Sequence, residues 1–121
     1  MAENQSPKRY DLEERTLRFA QRVREFVKKL PKTIANIEDS RQLVDASGSV
    51  GANYIEANEA LSKKDFAMRA KICRKEAKES RYWLRLIDTG RRREIEQERK
   101  ELEDEANELT HIFGSIVTKS K

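Results

Sequence analysis

Apolar residues recur along this chain at alternating steps of three and four, and the pattern repeats four times. In the first segment Leu12, Phe19, Val23, Phe26 and Leu30 share one helical face. Asp11 stands where an N-cap is expected, and Glu13 and Glu14 suit the positive end of the helix dipole. Pro31 ends the segment, because the residue before a proline is pushed out of the helical region. The predicted first helix covers about 11–30, preceded by a flexible tail over 1–9. The second helix is predicted over about 33–61, with Thr33 as its cap. One stripe holds Ile34, Ile37, Val44, Gly48, Gly51, Ile55 and Asn58, with Arg41 filling the missing slot. A neighbouring stripe holds Leu43, Ser47, Val50, Tyr54, Ala57 and Leu61.

Ser62-Lys63-Lys64-Asp65 is a start signal in which Ser62 caps and Asp65 sits in the first turn. Phe66, Ala70, Cys73, Ala77, Ser80, Leu84 and Ile87 follow at helical spacing, and Gly90 is a suitable stop. The third helix is predicted over about 63–89. The fourth covers about 92–118, where Ile95, Leu102, Ala106, Leu109, Phe113 and Ile116 line one face, widened by Ile112 and Val117. Four amphipathic helices with short connections predict an all-α protein, an antiparallel up-down-up-down four-helix bundle.

The segment Ser47-Gly48-Ser49-Val50-Gly51 resembles a loop in composition, yet both apolar stripes cross it without a change of phase. A phosphate-binding loop needs a lysine and a hydroxyl residue after its glycines and a strand before them, and none of these is present. A glycine inside a helix costs about 1 kcal/mol relative to alanine. Close approach of another helix offsets that cost. Ser47, Gly48, Gly51 and Ala52 are therefore expected to form a site of close helix packing.

Composition supports the same fold. Charged residues make up 40% of the 121 and only 4 are glycine and 2 proline, which favours helix over a sandwich or barrel. Mean hydropathy is as low as that of disordered chains, at −0.93. Periodic apolar residues argue against disorder. A single cysteine, Cys73, excludes an intramolecular disulfide. No apolar run approaches the roughly 20 residues of a membrane span. The expected location is the cytoplasm, without membrane contact.

Net charge is +4 overall but uneven: residues 62–93 carry 12 Lys/Arg against 4 Asp/Glu, whereas residues 94–121 carry 4 against 8. An anionic partner would be attracted to the third helix.

Several motifs resemble those of a known family. They are Lys29-Leu30-Pro31-Lys32, Ser47 to Tyr54, Glu56-Ala57-Asn58-Glu59-Ala60-Leu61-Ser62-Lys63-Lys64-Asp65-Phe66, and Lys71-Ile72-Cys73-Arg74-Lys75-Glu76-Ala77-Lys78-Glu79-Ser80-Arg81-Tyr82-Trp83-Leu84. In their order and separations they resemble the four-helix-bundle proteins encoded in intervening sequences of bacterial 23S ribosomal RNA genes. The resemblance covers about Tyr10 to Phe113. It implies an antiparallel protomer, a ring-like homopentamer, and kinship to the pentameric, nucleic-acid-binding accessory variability protein of diversity-generating retroelements.

Two flanks of the third helix are candidate sites. One carries the basic stripe Lys71, Arg74, Lys78, Arg81 and Arg85, which Arg91, Arg92 and Arg93 could extend, as could Arg15, Arg18 and Arg22 on the first helix. Rows of Lys and Arg neutralise phosphates and release counterions, so RNA or DNA backbone is the candidate partner. The bland alternative is a solvated face paired with the glutamates of neighbouring helices. The other flank carries Ile72, Trp83 and Leu86, which, with Tyr54, are candidates for a subunit interface or for a widened core. No catalytic constellation emerges, and no cofactor is implied. One cysteine and one histidine (His111) fall short of the three or four ligands of most zinc sites, so no metal is expected. The sequence therefore predicts a non-catalytic oligomeric bundle that binds nucleic-acid backbone, with a structural or protein-interaction scaffold as the alternative.

Overall fold

The computed structural model describes residues 7–120, with side chains from Leu12 onward. Four helices follow in order: α1 (Pro7–Val27), α2 (Ile34–Asn58), α3 (Lys63–Leu86) and α4 (Arg93–Lys119). No strand occurs among the described residues. Residues 1–6 of the expected tail lie outside the described residues. Residues 7–9 belong to α1, so Asp11 lies within the helix and is not its cap.

The other helix starts follow from local chemistry. Thr33 accepts the Asn36 N–H at 3.1 Å, and Ser62 accepts the Asp65 N–H at 3.0 Å. The first three helices end earlier than the periodicity predicts. After Val27 the chain tightens into i→i+3 hydrogen bonds, Lys29 N–H to Phe26 O and Leu30 N–H to Val27 O. Leu30 nevertheless remains buried. α2 stops at Asn58, and Leu61, expected on the core stripe, is 98% exposed. α3 stops at Leu86, three residues short of its expected end. The turn that follows places Gly90 and Arg91 at left-handed φ angles of 69° and 64°.

Pairs across the seams fix the antiparallel order. Thr16 and Arg24 of α1 face Gly51 and Gly48 of α2, running in opposite senses. Asn53 of α2 accepts from Arg69 of α3 at 3.1 Å, and Asn36 meets Asp88 at the far end. Arg74 and Arg81 of α3 face Gly114 and Glu103 of α4. Arg15 of α1 and Lys29 of the turn after it face Glu105 and Glu98 of α4. Asn36, buried in α2, ties two connections together. Its Nδ2 donates to Pro31 O at 3.0 Å and Asp88 O at 2.8 Å, while its Oδ1 accepts the Asp88 N–H at 3.0 Å.

The core is built from unequal partners. α2 and α3 contribute Ala46, Ser47, Ala57, Ala70, Cys73, Ala77 and Ser80, all buried. α1 and α4 contribute the large Phe19, Phe26 and Phe113, and Tyr54 of α2 meets Phe113 edge-on with ring centres 5.6 Å apart. Of the two α2 stripes, the one holding Leu43, Ser47, Val50, Tyr54 and Ala57 is buried. On the other, Ile34, Ile37 and Ile55 are exposed.

Gly48 and Gly51 differ in what opposes them. A Cβ on Gly51 would lie 2.9 Å from Thr16 Oγ1 and 3.3 Å from Thr16 Cβ. Thr16 is itself buried, and its hydroxyl donates to Leu12 O at 2.7 Å. A Cβ on Gly48 would meet only the tip of Arg24, at 3.1 Å. Ala52 is exposed, so it takes no part in this close packing, contrary to expectation. Its side chain borders an open surface recess with Arg24, Arg41 and Gly48.

Arg99 braces the end of α3. It donates to Leu84 O at 3.3 Å, an end carbonyl of α3, and to Glu103 and Glu96 at 2.9 and 2.8 Å. Thr89 donates to Glu96 at 3.2 Å. The Arg99 hydrogen bond holds the Glu96 carboxyl below its ordinary range, more than burial raises it.

Two outcomes follow from these contacts. Gly48→Ala gains helix propensity of up to about 1 kcal/mol, since Arg24 can move aside. Gly51→Ala loses about 1–3 kcal/mol to overpacking against Thr16. Urea unfolding of Gly51→Ala, Thr16→Ala and the double variant should show a favourable coupling in the cycle. Equal effects at the two glycines would contradict the geometry. The lowered carboxyl of Glu96 contributes stability that is present above its ordinary value and is lost as pH falls through the lower folded value. Thermal unfolding should therefore find Glu96→Gln less stable than the parent near neutrality, by a modest amount because the side chain is half exposed. The gap should close in acid.

Candidate nucleic-acid interface

The eleven candidate basic residues divide into two groups by what surrounds them. Arg15 donates to Glu105 through Nε and Nη2, both at 2.8 Å, and to Glu108 at 2.7 Å. These bonds, Glu105 first, hold it more firmly charged than an ordinary arginine. Arg22 lies 3.5 Å from Glu101. Arg81 and Arg85 approach the same Glu103 carboxylate at 3.7 and 3.9 Å. That carboxylate already accepts from Arg99, and the buried Arg81 Nε has no hydrogen-bond partner. Arg92 donates to Lys29 O at 3.1 Å. These five hold helices or turns of the bundle together.

The remaining six are Lys71, Arg74, Lys78, Arg18, Arg91 and Arg93. All are exposed, and none has an ion-pair partner among the described residues. Lys71, Arg74 and Lys78 follow one another at steps of three and four on the α4 flank of α3, forming a continuous row. Arg18 lies across the molecule on α1, and Arg91 and Arg93 lie at the turn before α4. The sequence row of five is thus cut after Lys78. The cut could not be read from α3 itself, because it depends on where Glu103 of α4 lies.

The apolar flank also divides. Tyr54 is buried in the core against Phe113, so it is not available to a second subunit. Its place on the central α2 stripe, between Val50 and Ala57, is the physical reason. Ile72 and Trp83 are half-buried, and Trp83 packs against the core. The Trp83 ring meets Tyr82 edge-on at 5.0 Å. Leu86 is exposed, as are Met68 and Tyr82, which periodicity alone did not single out. Further exposed apolar side chains lie on the first two helices: Leu17, Ile34, Ile37 and Ile55.

Other candidate chemistry takes a structural place. Cys73 is buried, and burial pushes its thiol up to about 12. His111 is exposed, with Nδ1 2.8 Å from Asn107 O. Among the described residues no group of three or more His, Cys, Asp or Glu side chains could hold a metal ion, and no helix is long and apolar enough to cross a membrane.

Comparison with known proteins places this geometry in a lineage. No curated protein sequence matches the chain. Among solved structures the chain is similar to a protein of unknown function from the S23 ribosomal protein family of Bacteroides thetaiotaomicron VPI-5482. The two share 28% sequence identity and a TM-score of 0.75, over 92% of this chain and 98% of that one. Residues 8–115 match the family described as 23S rRNA-intervening sequence protein. With four helices, matching topology and nearly full coverage, the chain belongs to the 23S rRNA-intervening sequence protein family.

Proposed function

We propose that this protein is a non-catalytic, oligomeric four-helix bundle of the bacterial cytoplasm that binds the phosphate backbone of RNA or DNA. The observation that carries the reading is the row Lys71, Arg74 and Lys78. Many cations of this chain meet a carboxylate, but these three meet none among the described residues. Three adjacent cations left to solvent repel one another, and a polyanion relieves that repulsion while releasing its own counterions. The buried Cys73, with its thiol held protonated at neutral pH, supports a role without nucleophilic chemistry.

Two exposed apolar faces support self-association. One, on α1 and α2, holds Leu17, Ile37 and Ile55. The other, on α3, holds Met68, Tyr82 and Leu86. Two different patches on one protomer suit a head-to-tail contact, which closes into a ring when the rotation allows. The ring-like homopentamer implied by the family resemblance is such an assembly, and it would repeat the basic row in every subunit. A scaffold without nucleic-acid affinity is the second reading, favoured by the arginines that Glu101, Glu103 and Glu105 already occupy.

Light scattering should give a mass several times the 14.2 kDa of the chain. A monomer at micromolar concentration would remove the oligomer from the proposal. Fluorescence anisotropy with a labelled RNA strand and a DNA duplex should show binding that weakens steeply with salt. Lys71→Glu, Arg74→Glu and Lys78→Glu together should reduce affinity by at least about tenfold and lower the salt slope by about 3. Salt-insensitive binding, or none to either probe, would leave the scaffold reading.

A further inference from the structure

The surface beside the basic row belongs to α4, and the carboxylates of that helix are not spread evenly along it. Its acidic side chains end at Glu108; Leu109 to Lys119 contain no Asp or Glu. Glu105 and Glu108 turn toward α1, where Arg15 takes both. The last α4 carboxylates on the α3 side are therefore Glu103, opposite Arg81 and Arg85, and Asp104 beside it, which meets Lys100 at 3.0 Å. Past that level α4 presents uncharged polar residues to the seam. Gly114 lies beneath Arg74, whose Cδ would be 3.6 Å from a Cβ there. His111 and Thr118, three residues before Gly114 and four after it, share its side of the helix and are exposed.

The acidic residues of α3 leave the same strip clear. By helical spacing Asp65 and Glu76 fall on the opposite flank, toward α2, where the charges of Glu79 and Asp45 both reach Glu76. Glu79, the third carboxylate of α3, is exposed about a quarter-turn or more away from the row of Lys71, Arg74 and Lys78. The strip ends at a recess of about 280 Å³ lined by Lys63, Phe66, Lys119 and Ser120, which brings a lysine from each helix to the same end of the bundle. Neither lysine has an ion-pair partner among the described residues.

We infer that the polyanion path is this carboxylate-free half of the α3–α4 seam, running from Lys78 through Arg74 and Lys71 to Lys63 and Lys119, with His111 and Thr118 as its α4 wall. The occupant is a phosphodiester backbone. From Lys63 to Lys78 the path is about 22 Å long at 1.5 Å per residue, which is about six steps of a duplex strand at 3.4 Å each. A row of separated cations over that length suits a repeating charge better than a single small anion. The inference rests on the nucleic-acid reading above and adds to it a direction, an end and a second helix. It also excludes Arg81, Arg85, Arg15 and Arg22 from the contact, because the bundle's own glutamates hold them.

The test inserts charge where the fold does not need the native residue. His111→Glu with Thr118→Glu places two carboxylates on the α4 wall. Gln42→Glu with Ala52→Glu makes the same net change at exposed positions of α2. Lys63→Glu with Lys119→Glu removes the end of the path. Circular dichroism and light scattering would confirm that each variant keeps the parent's fold and mass. Anisotropy with the labelled RNA strand and DNA duplex should show a loss of about tenfold or more for the wall and end variants, with little change for the α2 control. The end variant should also lower the salt slope by about 2. If the wall and end variants bind as the parent does, while Arg18→Glu or Arg91→Glu with Arg93→Glu abolishes binding, this path is overturned and the nucleic-acid reading stands. If the parent binds neither probe but binds anionic vesicles or an acidic peptide, both fall.

Discussion

The close approach of α2 to its neighbours is the constraint on which the rest of the molecule depends. Gly51 admits Thr16 of α1 at a distance no Cβ would tolerate. On the α3 side, Ala46 and Ser47 of α2 stand with Ala70, Cys73, Ala77 and Ser80 of α3, so the two backbones lie together along most of their length. Side chains this small bury little apolar area of their own. Their contribution is dense packing, and the large phenylalanines of α1 and α4 supply the bulk that fills the remaining space.

The opposite seam follows from that arrangement. With α2 and α3 drawn inward, α1 and α4 make the least intimate backbone contact in the bundle. Long charged side chains span the gap: Arg15 to Glu105 and Glu108, Arg22 to Glu101, and Lys29 to Glu98. Pairs of this kind are individually worth little in water. Their effect here is to assign cations to the fold. The same holds at the end of α3, where Glu96 and Glu103 gather Arg99, Arg81 and Arg85. Among the described basic residues that escape such pairing, Lys63, Lys71, Arg74, Lys78 and Lys119 share one half of the α3–α4 face, while Arg18, Arg91 and Arg93 lie elsewhere. The electrostatic character of the surface is thus a remainder, set by where carboxylates run out.

Periodicity and caps carried most of the fold. Thr33 and Ser62 act as caps because a short side-chain oxygen can reach an end N–H from its own residue, a strictly local requirement. Helix ends were less legible. Leu30 and Ile87 stay buried after their helices have stopped, so an apolar residue at helical spacing marked burial correctly and helix continuation wrongly. Asn36 gave no signal at all. Its importance comes from two connections, at Pro31 and Asp88, that are 57 residues apart in sequence and meet only in the folded bundle.

The sequence by itself determined four helices, their order, the buried faces of all but the second, and the family, because each of these is written in local spacing and in motifs along the chain. Only the tertiary structure decided which side of α2 is buried, since two adjacent stripes there are both apolar. It also took Tyr54 into the core and split the basic row of α3 after Lys78. The reason is common to all three: each is a property of a pair of helices, and a helix cannot show from its own residues which neighbour stands beside it, or what charge that neighbour brings.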